Sequence, residues 1–203
     1  MTERPAADRL PPGQIRTTKW PVLHYSHVPA IDPAAWRFEI GGLVERPLLL
    51  RWDDLARYPS QETQCDIHCV TRWSRYDNRF RGVPVRALLA EAHPLPQARF
   101  VLVHAAPDYS TNLPLGDLDR AENLLATHHS GEPLAAEHGG PVRLLVPHLY
   151  FWKSAKWVTG FEFLAEDTPG LWEQNGYHMR GDPWAEQRFG RPDPVRMRRG
   201  SRR

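Results

Sequence analysis

Prolines and glycines interrupt this sequence along its whole length. Twenty prolines and fourteen glycines occur among the 203 residues, and they are not gathered in one tail or linker. Because proline breaks a helix interior and glycine weakens one, the chain is expected to fold from short elements with few long helices. A chain of this length can close one substantial core, so a single domain is the expectation.

Short apolar segments indicate which elements form. Residues 36–44, 99–106, 142–147 and 156–164 have the β-branched and aromatic character, or the alternation of apolar and polar residues, that is typical of strands. Residues 51–59, 85–92 and 115–129 are predicted to be helices. Since strands dominate and no regular β-α-β alternation is visible, the sequence predicts an α+β fold that is mainly β with short helices.

The positive charge is concentrated at one end of the chain. Five of the 26 basic side chains are arginines in the last eight residues. Without these five, the chain has 21 basic and 24 acidic side chains, which gives a net charge of −3. This balance argues against a nucleic-acid partner, although eight tryptophans leave stacking on RNA bases as a remote alternative. We expect residues 1–17 to be a flexible N-terminal segment, residues 18–190 to be the domain, and residues 191–203 to be a mobile arginine-rich tail.

No segment approaches the roughly 20 apolar residues that span a bilayer. The first residues also lack the charged, apolar and cleavage regions of a secretory signal, so we expect no membrane span and a cytoplasmic location. In that reducing compartment the two cysteines, Cys65 and Cys69, are expected to be free thiols.

Cys69 lies in the stretch "DIHCVTRW", between His68 and Arg72. A nearby cation favours the thiolate, which attacks electrophiles or binds soft metals. The strand-like alternation before Cys69 stops at "TRWSRYDN", which is predicted to be a turn, so the thiol is placed at a strand end beside a loop.

Three other interpretations of this thiol remain open. It could be a small buried apolar group, or a nucleophile with one of ten histidines as its base. It could also bind zinc with Cys65 and His68, although the chain has no second cysteine pair to complete a structural zinc site.

A second group of candidate residues lies in "HGGPVRLLVPHLYFWKSAKW", residues 138–157. Glycines permit close backbone approach, Arg143 can hold an anion through two hydrogen bonds, and Lys153 and Lys156 add point charges. The stretch therefore suits a phosphate-bearing ligand, unless these charges only lie on a surface hairpin. No Walker loop or Gly-x-Gly-x-x-Gly motif follows a strand, so an ordinary nucleotide-binding fold is not supported.

Four stretches carry a resemblance to a known family. They are "LHYSHVPAIDPAAWRFEIGGLV", "CVTRWS" followed by "GVPVRALL", "HGGPVRLLVP" and "WKSAKW", in that order. Over roughly residues 18–190 the chain resembles the molybdopterin-binding domain of the sulfite oxidase superfamily. It is similar to the bacterial stand-alone sulfite oxidase-like proteins, and more distantly similar to the catalytic subunit of the methionine-sulfoxide reductases. The resemblance implies the sulfite oxidase fold and a molybdenum-molybdopterin cofactor, with Cys69 as the only protein ligand to the metal.

The resemblance also implies the residues of the site. Catalytic roles fall on Cys69, Arg72 and Tyr109, and Cys65 is interpreted as a core residue. The residues implied in cofactor binding are His24, Tyr25, His27, Cys69, His138, Arg143, Ser154, Ala155 and Lys156. The cysteine loop departs from the Cys-x-Gly-Asn-Arg-Arg of animal and plant sulfite oxidases, which leaves the substrate open.

The function implied is that of a molybdenum-dependent oxidoreductase, which moves an oxygen atom and two electrons to or from a small sulfur- or nitrogen-containing substrate. No flavin or haem motif is visible, so a separate electron-transfer protein is the expected partner. The alternative is a non-enzymatic pterin- or anion-binding carrier with the same fold.

Overall fold

The structure is a computed structural model that describes residues 9–190. Most of its regular elements are strands. They are β1 (Ile15–Arg16), β2 (Arg37–Gly42), β3 (Leu48–Arg51), β4 (Gln61–His68), β5 (Trp73–Pro84), β6 (Phe100–Ala105), β7 (Tyr109–Pro114), β8 (Leu124–His129), β9 (Glu132–Pro133), β10 (Arg143–Leu145) and β11 (Val158–Leu164). The α-helices are α1 (Val85–Ala92), α2 (Leu115–Leu118) and α3 (Leu171–Gln174), and short 3-10 turns cover Pro33–Ala35, Trp52–Arg57, Ala136–His138 and Phe151–Lys153. The predicted α+β class is confirmed.

The strands form two sheets. In the first, β5 pairs with β1, β4 and β8, while β10 and β9 add to β8. The second sheet has the order β3-β2-β11-β6-β7. Pairing is antiparallel except between β1 and β5 and between β2 and β11. With 12 residues, β5 is the longest strand, and it brings the start of the chain against the turn that follows β4.

Alternation along the first sheet creates two apolar clusters, one on each face. Leu125 and Leu144 point into the larger cluster, which the second sheet and α1 complete. Leu124 and Leu145, their neighbours in sequence, point into the smaller cluster. Each fully buried leucine contributes about 1.5–3 kcal/mol to stability. Cys65 packs against this smaller cluster, as its interpretation as a core residue predicts.

The predicted helix over residues 85–92 is confirmed with the same bounds as α1. Its buried residues, Val85, Leu88, Leu89 and Ala92, follow the spacing of one helix face. Pro84 is the N-cap residue, where its missing N–H removes no hydrogen bond within the helix. The four predicted strands are also present, with ends that differ by at most two residues. The predicted helix over residues 51–59 is a 3-10 helix, Trp52–Arg57.

Two predictions of local structure were wrong. The helix predicted over residues 115–129 ends at Leu118, and residues 124–129 form β8, because Leu124, Leu125 and Ala126 are buried between β5 and β10. Of the stretch "TRWSRYDN", which was predicted to be a turn, only the first two residues lie in a turn. From Trp73 onward the chain is β5, since its backbone pairs with β4.

The ends of the described region lie against the body of the domain. Residues 9–17, part of the segment expected to be flexible, run beside β5, where Ile15 N donates to Arg72 O at 2.8 Å and Thr17 N donates to Ser74 O at 2.9 Å. Residues 1–8 and the arginine-rich tail, residues 191–203, lie outside the described residues. Within residues 9–190 no helix combines the length and apolar character needed to cross a bilayer.

Candidate functional site

A cavity of about 320 Å³ lies where five parts of the chain meet. These parts are residues 20–25, the turn after β4, residues 106–109 where β6 turns into β7, residues 143–157 and the C-terminal segment that contains α3. Eight of the residues predicted for the site line it: His24, Tyr25, Cys69, Tyr109, Arg143, Ser154, Ala155 and Lys156.

The turn that carries Cys69 is fixed by hydrogen bonds. Cys69 N donates to Trp73 O at 2.8 Å and Arg72 N donates to Cys69 O at 3.0 Å, which closes the turn between β4 and β5. From outside, Gln14 Nε2 donates to Cys69 O at 3.0 Å and Arg188 Nη1 donates to Val70 O at 2.7 Å. Both ends of the described chain therefore hold the backbone beside the thiol.

The Cys69 thiol is 9% exposed, and burial raises its pKa. The Thr71 hydroxyl lies 3.1 Å from Sγ and opposes that shift, as does the charge of Arg188. The net result is a protonated thiol at neutral pH, which becomes a thiolate when a soft metal replaces the proton.

The two cations expected beside Cys69 are not positioned to activate it. Burial lowers the pKa of His68 to about 4, and its Nδ1 lies 2.8 Å from Ser74 Oγ, so the ring is neutral. Arg72 is exposed and is not among the residues that line the cavity. Its left-handed backbone, with φ of 75°, turns the guanidinium toward Gly13 instead.

Arg143 begins β10 and is 1% exposed. Its Nη1 donates to His138 O at 2.7 Å and its Nη2 donates to Ser154 O at 2.8 Å, while Nε has no hydrogen-bond partner. Burial lowers its pKa to about 9, and the guanidinium lies 4.1 Å from the centre of the Phe151 ring. The side chain is thus a rigid buried cation whose Nε–H is left without a partner.

Gly139 lies between Lys156 and Arg143. A Cβ on Gly139, whose φ is 105°, would meet Lys156 Cα at 3.0 Å and Arg143 Cβ at 3.1 Å, so only glycine fits between them. Lys156 Nζ donates to Glu137 O at 2.5 Å. Burial, followed by the charge of Arg143, lowers the pKa of Lys156 to about 7, and a bound anion would restore its charge.

Lys153, three residues earlier, has a different role from the phosphate contact that the sequence suggested. Its side chain is fully buried and forms an ion pair of 2.7 Å with the equally buried Glu173. Ser154 is also buried, and its hydroxyl accepts a hydrogen bond from Val146 N at 2.9 Å. The hydrogen bond from Arg143 is accepted by the Ser154 carbonyl, not by its hydroxyl.

The remaining predicted residues lie at the edges of the site. His138 is outside the cavity lining, stacked on Trp20 at 3.9 Å between ring centres, and its buried Nδ1 has no partner. His27 is exposed, outside the lining, and contacts only its neighbour Ser26 among the hydrogen bonds of the described chain. Tyr109 lines the cavity, but its hydroxyl donates to Trp152 O at 2.7 Å.

The sequence analysis assigned no site role to several aromatic residues that line the cavity. Trp20, Trp73, Trp152, Trp157, Trp172 and Tyr177 all line the cavity. The one available indication was the aromatic composition of residues 168–189, whose relation to the site only the fold reveals. Trp73 Nε1 is buried without a partner, like Arg143 Nε.

This arrangement suits a cofactor that brings its own metal ligands. In the described residues no three His, Cys, Asp or Glu side chains converge, so Cys69 by itself cannot hold a metal. Each buried donor without a partner costs about 1–3 kcal/mol, and Arg143 Nε and Trp73 Nε1 are two such donors on residues of the cavity wall. An anionic cofactor rich in acceptors, with soft metal ligands of its own, fits the thiol, the cations and the unpaired donors together.

The fold and this cavity are those of an oxidoreductase domain that binds a cofactor. The chain belongs to the family described as the oxidoreductase molybdopterin binding domain, whose model matches residues 25–172. It is 50% identical to the uncharacterized oxidoreductase YuiH of Bacillus subtilis over 182 residues, which are 89% of this chain and 92% of that protein.

Two other similar proteins share less sequence identity with this chain. The chain is 30% identical over 155 residues to the protein-methionine-sulfoxide reductase catalytic subunit MsrP of Campylobacter jejuni, covering 68% of this chain and 52% of that one. In the crystal structure of the sulfane dehydrogenase SoxCD from Paracoccus pantotrophus, one chain matches with a TM-score of 0.65 and 26% identity, covering 71% of this chain and 42% of that one. The chain therefore spans about half the length of these two relatives. The predicted sulfite oxidase-type fold and family are confirmed.

Proposed function

We propose that this protein is a molybdenum-molybdopterin oxidoreductase that transfers an oxygen atom to or from a small sulfur- or nitrogen-containing substrate. One observation carries the proposal: the Cys69 thiol lines the same cavity as the buried cation Arg143 and its neighbour Lys156. A soft sulfur ligand beside two anion-binding side chains is the combination that a metal on a phosphorylated dithiolene cofactor requires.

Each residue has a role that follows from its chemistry. Cys69 would bind the metal, and the hydrogen bonds from Gln14 and Arg188 to its turn fix where the sulfur lies. Arg143 Nε and the Lys156 ammonium would bind the anionic part of the cofactor. His24, Tyr25 and Ala155, which line the cavity, would exclude water around it.

The bound cofactor supplies the two-electron redox chemistry, in which substrate and water give oxidised substrate, two protons and two electrons, or the reverse. The electrons pass to or from a separate electron-transfer protein. A cytoplasmic location stays a prediction, as do the roles of Arg72, Tyr109, His27 and His138.

Metal analysis of the purified protein tests the proposal. Protein from a molybdenum-replete host should contain close to one molybdenum per chain and should turn over a redox dye with a sulfur or nitrogen substrate. Metal-free protein that binds pterin would support the carrier alternative instead.

A matched pair of variants tests the ligand. Cys69→Ser should remove redox turnover, because an alkoxide is a harder donor than a thiolate. Cys65→Ser changes the other free thiol, which packs on the core cluster outside the cavity, and should retain molybdenum and turnover. Full turnover in Cys69→Ser would remove Cys69 from the site.

A further inference from the structure

We infer that Trp172 and Tyr177 of the C-terminal segment form the substrate-binding wall of the cavity, and that this wall selects an uncharged substrate carrying an apolar or aromatic group over an oxyanion such as sulfite. The inference rests on the proposed function, because it assigns the substrate class of the same site.

The two rings form a continuous aromatic surface. Trp172 and Tyr177 stack with ring centres 5.0 Å apart and planes 23° apart, and Trp152 meets Tyr177 edge to face at 5.1 Å. All three line the cavity. A stacked pair of this kind offers a flat apolar surface, on which another ring or a methyl group gains stacking and dispersion energy.

Buried contacts hold this wall in place. Trp172 lies in α3 next to Glu173, which is fixed by Lys153 Nζ at 2.7 Å and by the Thr111 hydroxyl at 2.9 Å. Glu173 also accepts a hydrogen bond from the Trp152 indole at 2.8 Å. The wall is therefore rigid, as a surface that determines specificity needs to be.

The wall adjoins the Cys69 turn. Tyr177 pairs with Phe189 as an isolated antiparallel bridge, and His178 N donates to Arg188 O at 3.2 Å. Arg188 in turn donates to Val70 O at 2.7 Å, one residue from Cys69. The Cys69 turn and the Trp172–Tyr177 pair therefore border the same cavity, and a substrate bound beside the thiol would lie against both.

The charges of the cavity favour an uncharged substrate. Among the described residues that line the cavity, Arg143 and Lys156 are the arginine and lysine side chains. Both lie in residues 138–157, the stretch proposed to bind the anionic cofactor. Arg72, the other candidate for an oxyanion, is turned toward Gly13. An anion moved from water onto aromatic faces without a counterion loses its hydration, whereas a neutral molecule gains about 25 cal/mol per Å² of apolar surface buried.

Steady-state kinetics of the molybdenum-loaded protein test this inference. The first probe is methyl phenyl sulfoxide, which two electrons from a reduced dye and two protons convert to the sulfide and water. The second is sulfite, which with water gives sulfate, two protons and two electrons that reduce an oxidised dye. We expect the sulfoxide to have the higher kcat/KM. Trp172→Leu should raise its KM about tenfold, corresponding to the loss of one aromatic contact, with kcat and molybdenum content changed less than twofold.

Phe189→Leu is the matched control, because Phe189 contacts the Tyr177 ring at 5.3 Å but does not line the cavity. Its KM should stay within twofold of the parent. Tyr177→Leu removes the other ring of the stacked pair and should also raise the KM for the sulfoxide about tenfold, which tests the wall where Trp172→Leu folds poorly.

A higher kcat/KM for sulfite, or an equal KM in Trp172→Leu and Phe189→Leu, would overturn the inference and leave the proposed function intact. Protein without molybdenum would overturn the proposed function. In that case tryptophan fluorescence titration of the isolated protein still decides the inference: binding of the sulfoxide but not of sulfite supports it, and the reverse contradicts it.

Discussion

Replacing Lys153 by methionine should destabilise the protein strongly, because it leaves a carboxylate buried without its counterion. Lys153 and Glu173 form an ion pair of 2.7 Å between side chains that are both 0% exposed. Lys153 Nζ also donates to Asn112 O and Oδ1 at 2.8 Å each and to Met179 O at 2.6 Å. Methionine has nearly the same length as lysine, so the change removes charge and donors rather than volume.

The magnitude follows from what remains around Glu173. Removing one partner of a buried ion pair costs about 3–5 kcal/mol. The Thr111 hydroxyl and the Trp152 indole still donate to Glu173, at 2.9 and 2.8 Å, but neither neutralises its charge. A loss of this size is a large fraction of the roughly 5–15 kcal/mol that stabilises a typical domain.

Urea unfolding of the apoprotein at neutral pH measures this loss. The double variant Lys153→Met/Glu173→Gln removes both charges and should recover more than half of the lost stability. Arg86→Met is the control, since its ion pair with Asp119 is exposed and worth at most about 1 kcal/mol. A Lys153→Met variant within 1 kcal/mol of the parent, or a double variant no more stable than the single one, would refute the reasoning.

Two further predictions concern the Cys69 turn and the half-buried imidazole of His129. Arg188→Lys replaces the two guanidinium nitrogens that donate separately to Val70 O and Pro12 O by one ammonium nitrogen, so hydrogen exchange at residues 69–73 should accelerate and molybdenum content should fall. Arg180→Lys, which weakens the contact of the same segment with Asp117, should change neither, and equal exchange in both variants would contradict the assignment. Burial, and then the charge of Arg75, lowers the pKa of His129 to about 4. As the pH falls, the unfolded chain takes up a proton at this imidazole before the folded chain does. The free energy of unfolding should therefore decline from its value above pH 6.5 as the pH approaches 4. His129→Gln should flatten that decline in urea titrations, and parallel declines in parent and variant would show that another group is responsible.

Sequence patterns located the parts of the site that depend on local chemistry. The glycines and Arg143 of residues 138–157, and the cysteine at the end of β4, were predicted to belong to a ligand site, and they line or adjoin one cavity. Strands with alternating or branched residues were predicted because each pattern reflects burial on a sheet face.

The sequence could not predict features that arise from distant contacts. Lys153 and Lys156 are three residues apart and chemically alike, yet one pairs with buried Glu173 and the other lines the cavity. The Leu124-Leu125-Ala126 run is compatible with a buried helix or a buried strand, and its pairing with β5 decides between them. Trp172 and Tyr177 reach the site through a C-terminal segment whose path depends on the whole fold.

The order in which this chain is synthesised has a bearing on when its cofactor can be enclosed. The cysteine turn is translated early, whereas its outer support at Arg188 and the aromatic wall at Trp172 and Tyr177 come more than a hundred residues later. Nascent domains fold as units, largely from the N-terminal side. The pocket is therefore open on one side until residue 188 has been made, and a cofactor loaded before then would lie in a half-built cleft exposed to water and to exchange.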